Sequence, residues 1–193
     1  MYAIHYLSQH SIAPGELHLN AMKCIYHYLI GTQDLGLVFH GDQLNCNLVG
    51  FSDLDWASDL NSQRSVSGYA FIICGAVIAW SVKKQQTIAL SSTEAEYMVM
   101  THSGKEVVFL NHLFGDLAIP ISNLIPLLVD NQSVITLMEN PIFHMHSKHI
   151  EVHHHWMCEK VGDGTIQLEY IPTTDQVADI FTKPLNAEKF QKF

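Results

Sequence analysis

SVSGYAFIICGAVIAWSVKKQQTIAL, residues 65–90, is rich in β-branched and aromatic residues and is cut by short polar links. Ser65–Val82 reads as two strands broken near Cys74–Gly75. Lys83–Gln86 reads as a turn, and Thr87–Leu90 as a third short strand. Just upstream, LVGFSDLDW (48–56) reads as a strand that opens the main domain. Consecutive strands with links this short form an antiparallel meander.

Downstream the period changes from two to 3.6. SSTEAEYMVMTHSGKEVVFLNHLFGDL (91–117) is the longest helical signal, opened by the overlapping capping boxes Ser91-x-x-Glu94 and Thr93-x-x-Glu96. Gly104 inside it costs about 1 kcal/mol relative to alanine and could kink the helix. LIPLLVD (124–130) is a nearly unbroken apolar run, the pattern of a parallel strand buried on both faces. NQSVITLMEN (131–140) reads as a short helix stopped by Pro141. A helix follows around Ile150–Val161, then the alternating strand TIQLEYI (165–171). TTDQVADIFTKPL (173–185) reads as a last helix with the capping box Thr173-x-x-Gln176. Such an order gives an α/β fold, a mixed sheet with helices on its faces.

Upstream, ELHLNAMKCIYHYLI (16–30) has helical spacing with Gly31 as C-cap, and Gly36–Phe39 reads as a short strand. The polar stretch 40–47 marks the boundary between a leading segment, 1–47, and the main domain, 48–193.

With 193 residues, 48% hydrophobic, the chain can bury a full core. No apolar run approaches the roughly 18 residues of a membrane span, and the start lacks a secretory pattern. The net charge of −9 is unusual for a free-standing nucleic-acid binder. Either another module holds such a partner, or bound cations offset the acids locally. The four cysteines form no zinc-like spacing, and Cys24 and Cys74 read as buried free thiols in a reducing, intracellular setting. Thirteen histidines include His144, His146, His149, His153, His154 and His155. His149 and His153 stand at i,i+4, a metal-compatible spacing, yet the ordinary reading is a polar helix and loop.

Four acidic positions carry the functional reading. Stepping along the long helix from Glu96 gives Met100, Ser103, Val107, Leu110, Phe114 and Leu117, so Glu96 heads the core-facing stripe. Glu94 points to nearly the opposite side. On the core-facing stripe, Glu96 is either a capping glutamate bonding back to Thr93 or a functional group, since an isolated buried charge is expensive. Asp130 ends a buried strand, where α/β sheets place ligands, and could equally cap the next helix. Phe51, Asp53 and Asp55 share one strand face. Asp179 alone reads as a solvated helix residue. Converging carboxylates without Lys or Arg partners repel one another, and hard cations such as Mg²⁺ relieve this. Two such ions about 4 Å apart can clamp the attacking and leaving oxygens of a phosphodiester.

GFSDLDWASD, RSVSGYAF, IAWSVKKQQTIALSSTEAEY, VDNQSVITLMENP, FHMHSKHIEVHHHW and YIPTTDQVADIFTKPL together resemble the ribonuclease H domain of copia-type retrotransposon Pol polyproteins, over about residues 48–190. HLNAMKCIYHYLIGTQDLGLVF resembles the segment that joins the reverse transcriptase to that domain. The resemblance implies a ribonuclease H-like fold, with a five-stranded mixed sheet of three antiparallel and then parallel strands flanked by helices. It implies that Asp53, Glu96, Asp130 and Asp179 hold Mg²⁺ or Mn²⁺ and cleave the RNA strand of RNA–DNA hybrids, with Asp55 as an outer ligand at most. The implied partners are the hybrid and the reverse transcriptase portion of the same polyprotein. Arg64, Lys83, Lys84 and Lys148 are candidates for phosphate contacts. The chain departs from the family in carrying His153 and Cys158 at commonly basic positions. An inactive remnant or a nucleic-acid-binding module is the alternative reading.

Overall fold

The computed structural model describes residues 1–41, 47–56, 63–89, 91–122, 124–139 and 148–193. Five strands form one sheet: β1 (Val49–Asp55), β2 (Val66–Ile73), β3 (Ala76–Lys84), β4 (Ile125–Val129) and β5 (Ile166–Tyr170). Their spatial order is β3-β2-β1-β4-β5. β1, β2 and β3 pair antiparallel, while β4 pairs parallel to both β1 and β5. The mixed sheet matches the sequence expectation.

Pleating places the helices. Ser52 and Asp53 are successive on β1, so their side chains leave opposite faces. On one face, Ser52 Oγ meets Ser103 Oγ of α3 (Ser92–Asp116) at 3.2 Å. On the other, Asp53 meets Thr182 of the short helix α6 (Asp179–Thr182). Across the sheet Asp53 pairs with Gly68. That glycine lets α6 lie directly on β2.

The expected stripe of α3 is buried at Met100, Ser103, Val107 and Leu110. Leu117, at its far end, is 58% exposed and lies beyond the core. The helix runs unbroken through Gly104. A β carbon there would stand 2.6 Å from Met157 Sδ, so the glycine permits close packing with α5 (Lys148–Gly162). The central core joins Phe71, Tyr97, Leu127, Met157 and Ile166. The short helix α4 (Gln132–Glu139) follows β4 as expected.

Five local expectations fail. Thr87–Ala89 forms no strand. The buried Gln85 side chain instead donates to Ser67 Oγ at 2.9 Å and the Ala95 carbonyl at 3.0 Å, which ties the segment to α3. Gly36–Phe39 forms no strand either, and its apolar side chains are exposed. The last helix is not continuous: Thr173–Asp175 is a 3-10 turn, followed by α6 and by α7 (Ala187–Lys192). Gln176 is no cap, because it is fully buried and donates to the Ser52 carbonyl at 3.0 Å. The buried free-thiol reading also fails, since Cys24 is exposed and Cys74 is disulfide-bonded. Cys74 sits at a positive-φ turn against the leading segment, where His40 donates its N–H to the Cys74 carbonyl.

The leading segment holds α1 (Tyr2–Ser8) and α2 (Glu16–Gly31). The expected helix is present, with Thr32 rather than Gly31 at its C-cap. None of the α2 side chains is buried, and Leu17 and Ile30 are among its exposed apolar groups. Among the described residues no helix is long and apolar enough to cross a membrane.

Gly68→Ala tests the seating of α6. A β carbon would lie 2.6 Å from Thr182 Cγ2 and 3.1 Å from Phe181 Cβ, atoms too close to the backbone to swing away. The substitution should lower the unfolding free energy by about 1–3 kcal/mol, read from urea denaturation. An unchanged midpoint would contradict this packing.

Candidate active site

Asp53 starts the site from the middle of β1, where it is 2% exposed. Burying a lone carboxylate is costly, so it needs partners. Thr182 Oγ1 donates to Oδ2, and Lys183 Nζ donates to Oδ1 at 2.9 Å. Burial raises its pKa to about 6, against the opposing pull of Lys183 and Thr182, and the Asp179 charge adds to the rise.

Glu96 comes from the first turns of α3. Ser91 is the true N-cap and accepts from the Glu94 N–H at 3.1 Å. Glu96 is therefore not needed as a cap, and it reaches out to accept from Asn131 Nδ2 at 3.4 Å. Burial first raises its pKa to about 7, and the Asp53 and Asp130 charges add to the rise while Asn131 opposes it.

Asp130 lies just past the end of β4. The cap of α4 falls to Asn131, whose Oδ1 accepts from the Ser133 N–H at 3.0 Å. That frees Asp130, which accepts from Thr173 Oγ1 at 2.9 Å. Asp53, Glu96 and Asp130 line one open cleft of about 430 Å³, with Leu54, Asn131, Gln132, Tyr170 and Lys183.

Asp179 stands apart from that cleft. It is 1% exposed, not solvated as its local sequence reads. Lys183 Nζ bonds Oδ1 at 2.8 Å, and Lys189 Nζ bonds Oδ2. The acids thus converge with lysine partners, contrary to expectation, because Lys183 falls at i,i+4 from Asp179. Burial alone would lower the Lys183 pKa, but the adjoining Asp53 and Asp179 carboxylates outweigh it and hold the ammonium well above its ordinary value. Asp55 shares the strand face of Asp53 yet lies beside Tyr2 of α1.

The donor set suits a hard cation: three carboxylates from three elements face one cleft, and two resist ionisation. Among the described residues, however, no three acidic, histidine or cysteine side chains yet converge as a metal-binding group. The lysine bridge occupies part of that space.

The candidate phosphate contacts scatter. Arg64 and Lys83 are exposed, and Lys84 Nζ donates to Gln9 Oε1 at 3.2 Å. The Lys148 side chain and the cluster from His144 to His154 lie outside the described side chains. Lys83 lines a second cleft of about 190 Å³ with Ser67, Thr101, His102 and Lys105. Burial first, then the neighbouring Lys83 and Lys105, hold His102 below its ordinary value. Sequence reading missed Lys183, Lys189 and Gln176. Only the i,i+4 step from Asp179 to Lys183 was there to be found.

The pH dependence follows from the two raised carboxyls. Both bind protons more tightly in the folded chain, so their contribution is full below the ordinary carboxylate range. It is lost as pH rises through about 6 for Asp53 and about 7 for Glu96. In chelator, Glu96→Gln should therefore gain stability over the original chain by about 1–3 kcal/mol between about pH 5 and about pH 7.5. Thermal denaturation at both pH values checks this, and an equal difference at each would count against a buried Glu96 charge.

No family profile matches the chain. The retrovirus-related Pol polyprotein from transposon RE2 of Arabidopsis thaliana is 37% identical over 193 residues, all of this chain and 13% of that protein. The corresponding polyprotein from transposon TNT 1-94 of Nicotiana tabacum is 36% identical over 190 residues, 98% of this chain and 14% of that protein. The chain therefore spans about one seventh of these relatives. Among solved structures, LC11-RNase H1 in complex with an RNA/DNA hybrid matches 70% of this chain and 94% of its own, with TM-score 0.52 and 11% identity. The N-terminal RNase H domain of rv2228c from Mycobacterium tuberculosis matches 77% of this chain and 99% of its own, with TM-score 0.51 and 15% identity. The sheet order and these neighbours make the fold ribonuclease H-like, and the full-length similarity to plant transposon polyproteins places the chain in the copia-type retrotransposon Pol family.

Proposed function

We propose that this chain hydrolyses the RNA strand of RNA–DNA hybrids, using divalent cations held by Asp53, Glu96, Asp130 and Asp179. The observation that carries the reading is the single cleft into which β1, α3 and the end of β4 deliver Asp53, Glu96 and Asp130. Mg²⁺ is the expected ion, with Mn²⁺ able to replace it. Cations bound there would supply an activated water and a counter-charge for the leaving oxygen. Asp53 and Glu96 orient that end of the site from rigid elements. The Glu96 carboxylate, buried and beside the Asp53 and Asp130 charges, would gain its counter-charge from such a cation. Asn131 fixes its carboxylate. Cleavage leaves a 3′-hydroxyl and a 5′-phosphate.

Strand choice rests on 2′-hydroxyl contacts across the minor groove. We assign phosphate contact to the exposed Arg64 and to Lys83 and Lys105, which line the second cleft. Residues 1–47 are the end of the reverse transcriptase portion, and the exposed apolar face of α2 suits contact with the rest of it. That portion holds the hybrid that a chain of net charge −9 grips weakly. The setting is intracellular, where reverse transcription takes place. A second reading, a catalytically inactive module that binds nucleic acid, draws on the lysine pairs that neutralise Asp53 and Asp179.

A cleavage assay on hybrid, duplex DNA and duplex RNA with Mg²⁺ or Mn²⁺ separates the two. The chain should cut only the RNA of the hybrid. Asp130→Asn should abolish cleavage while keeping its far-ultraviolet dichroism, since Asn still accepts from Thr173. Undiminished cutting by that variant would overturn the site assignment. No cutting by the unaltered chain in either metal would favour the inactive module.

A further inference from the structure

We infer that the Lys183 ammonium fills a cation position between Asp53 and Asp179, and that a divalent ion completes the site only after this side chain withdraws. The inference rests on the four-acid reading above and adds a gate to it.

Lys183 bridges two carboxylates that come from different elements. Its Nζ lies 2.9 Å from Asp53 Oδ1 and 2.8 Å from Asp179 Oδ1. Both acids have side chains only 2% exposed, so water cannot replace this charge. Two buried carboxylates facing each other need a cation between them. Lys183 supplies it.

The same geometry allows the lysine to leave. Its side chain is 32% exposed and lines the open cleft, so it has a path to solvent. The acids, by contrast, are held from behind. Thr182 grips the other oxygen of Asp53, and Lys189 grips the other oxygen of Asp179. Gln176 fixes the segment that carries Asp179 by bonding the Ser52 carbonyl. The carboxylates therefore keep their places when Lys183 swings out. A divalent ion is then drawn by the doubled charge and the all-oxygen donors. With Lys183 in place, one oxygen of each buried acid points at an ammonium.

The experiment uses the full chain and Mn²⁺ or Ca²⁺ affinity measured by calorimetry, without nucleic acid. Lys183→Met removes the competing charge and keeps most of the stem. It should bind the divalent ion about tenfold or more tightly than the unaltered chain, and should be less heat-stable in chelator. Lys183→Arg keeps the charge and should bind no more tightly than the unaltered chain. A measurement on the unaltered chain covers the case in which Lys183→Met fails to fold. Reductive methylation of Lys183, read by peptide mass spectrometry, should rise several-fold when Ca²⁺ is added. Equal affinities for the unaltered chain and Lys183→Met overturn the gate. So does labelling of Lys183 that ignores Ca²⁺ at a concentration that binds. If neither the unaltered chain nor a folded Lys183→Met binds a divalent ion, the four-acid reading falls and the gate falls with it.

Discussion

The structure depends on the burial of one carboxylate. Asp53 lies in the middle of the sheet with almost no exposure, and its cost must be met by groups that reach it there. Both of its hydrogen-bonding partners, Thr182 and Lys183, come from the far end of the chain. The site therefore exists only when the last segment docks on the open face of β1 and β2. Gly68 makes room for that docking, and the fully buried Gln176 anchors it to the Ser52 and Leu128 carbonyls. Closing this long loop costs entropy that grows only slowly with its length. A few well-placed contacts can therefore hold it.

The parts legible in the sequence are those set by local pattern. β1 to β3, α3 and β4 follow from period-two alternation, a 3.6-residue stripe and a buried apolar run. Glu96 was legible because it heads that stripe, and Asp130 because strand ends face ligands. The rest was decided by tertiary contact. Thr87–Ala89 has strand-like residues but no neighbouring strand to pair with, since Gln85 turns the chain towards α3. The last segment has helical spacing, yet Gln176 is pulled in against the carbonyls of the interior strands β1 and β4, and the helix breaks into a 3-10 turn and α6. Asp179 reads as solvated on its own, although its apolar neighbours Val177, Ile180 and Phe181 point to docking. Only the docked segment buries it.

The four acids are not equivalent. Glu96 and Asp130 face the cleft and bond neutral groups, Asn131 and Thr173. Asp179 faces inward and is held by two ammonium groups. Asp53 belongs to both sides, lining the cleft while bonding Lys183. A site arranged this way leaves part of its negative charge facing the cleft and keeps the rest neutralised. That division spares the fold four unpaired carboxylates in contact.

The same lysines bear on substrate binding. The chain has ten Lys and Arg residues against nineteen Asp and Glu. Lys160, Lys183, Lys189 and Lys192 are engaged in ion pairs with acids of the chain itself. Phosphate contacts add affinity roughly in proportion to the charges neutralised. With so few cations left to meet a nucleic-acid backbone, a ribonuclease H-like domain of this composition gains little grip from electrostatics alone. On the proposed reading, its specificity comes from the shape of the hybrid at the acidic cleft, and its affinity from the reverse transcriptase portion. On that same reading, a weak intrinsic grip suits a domain that meets its substrate already threaded through a polymerase, because release after each cut is fast and re-engagement is local.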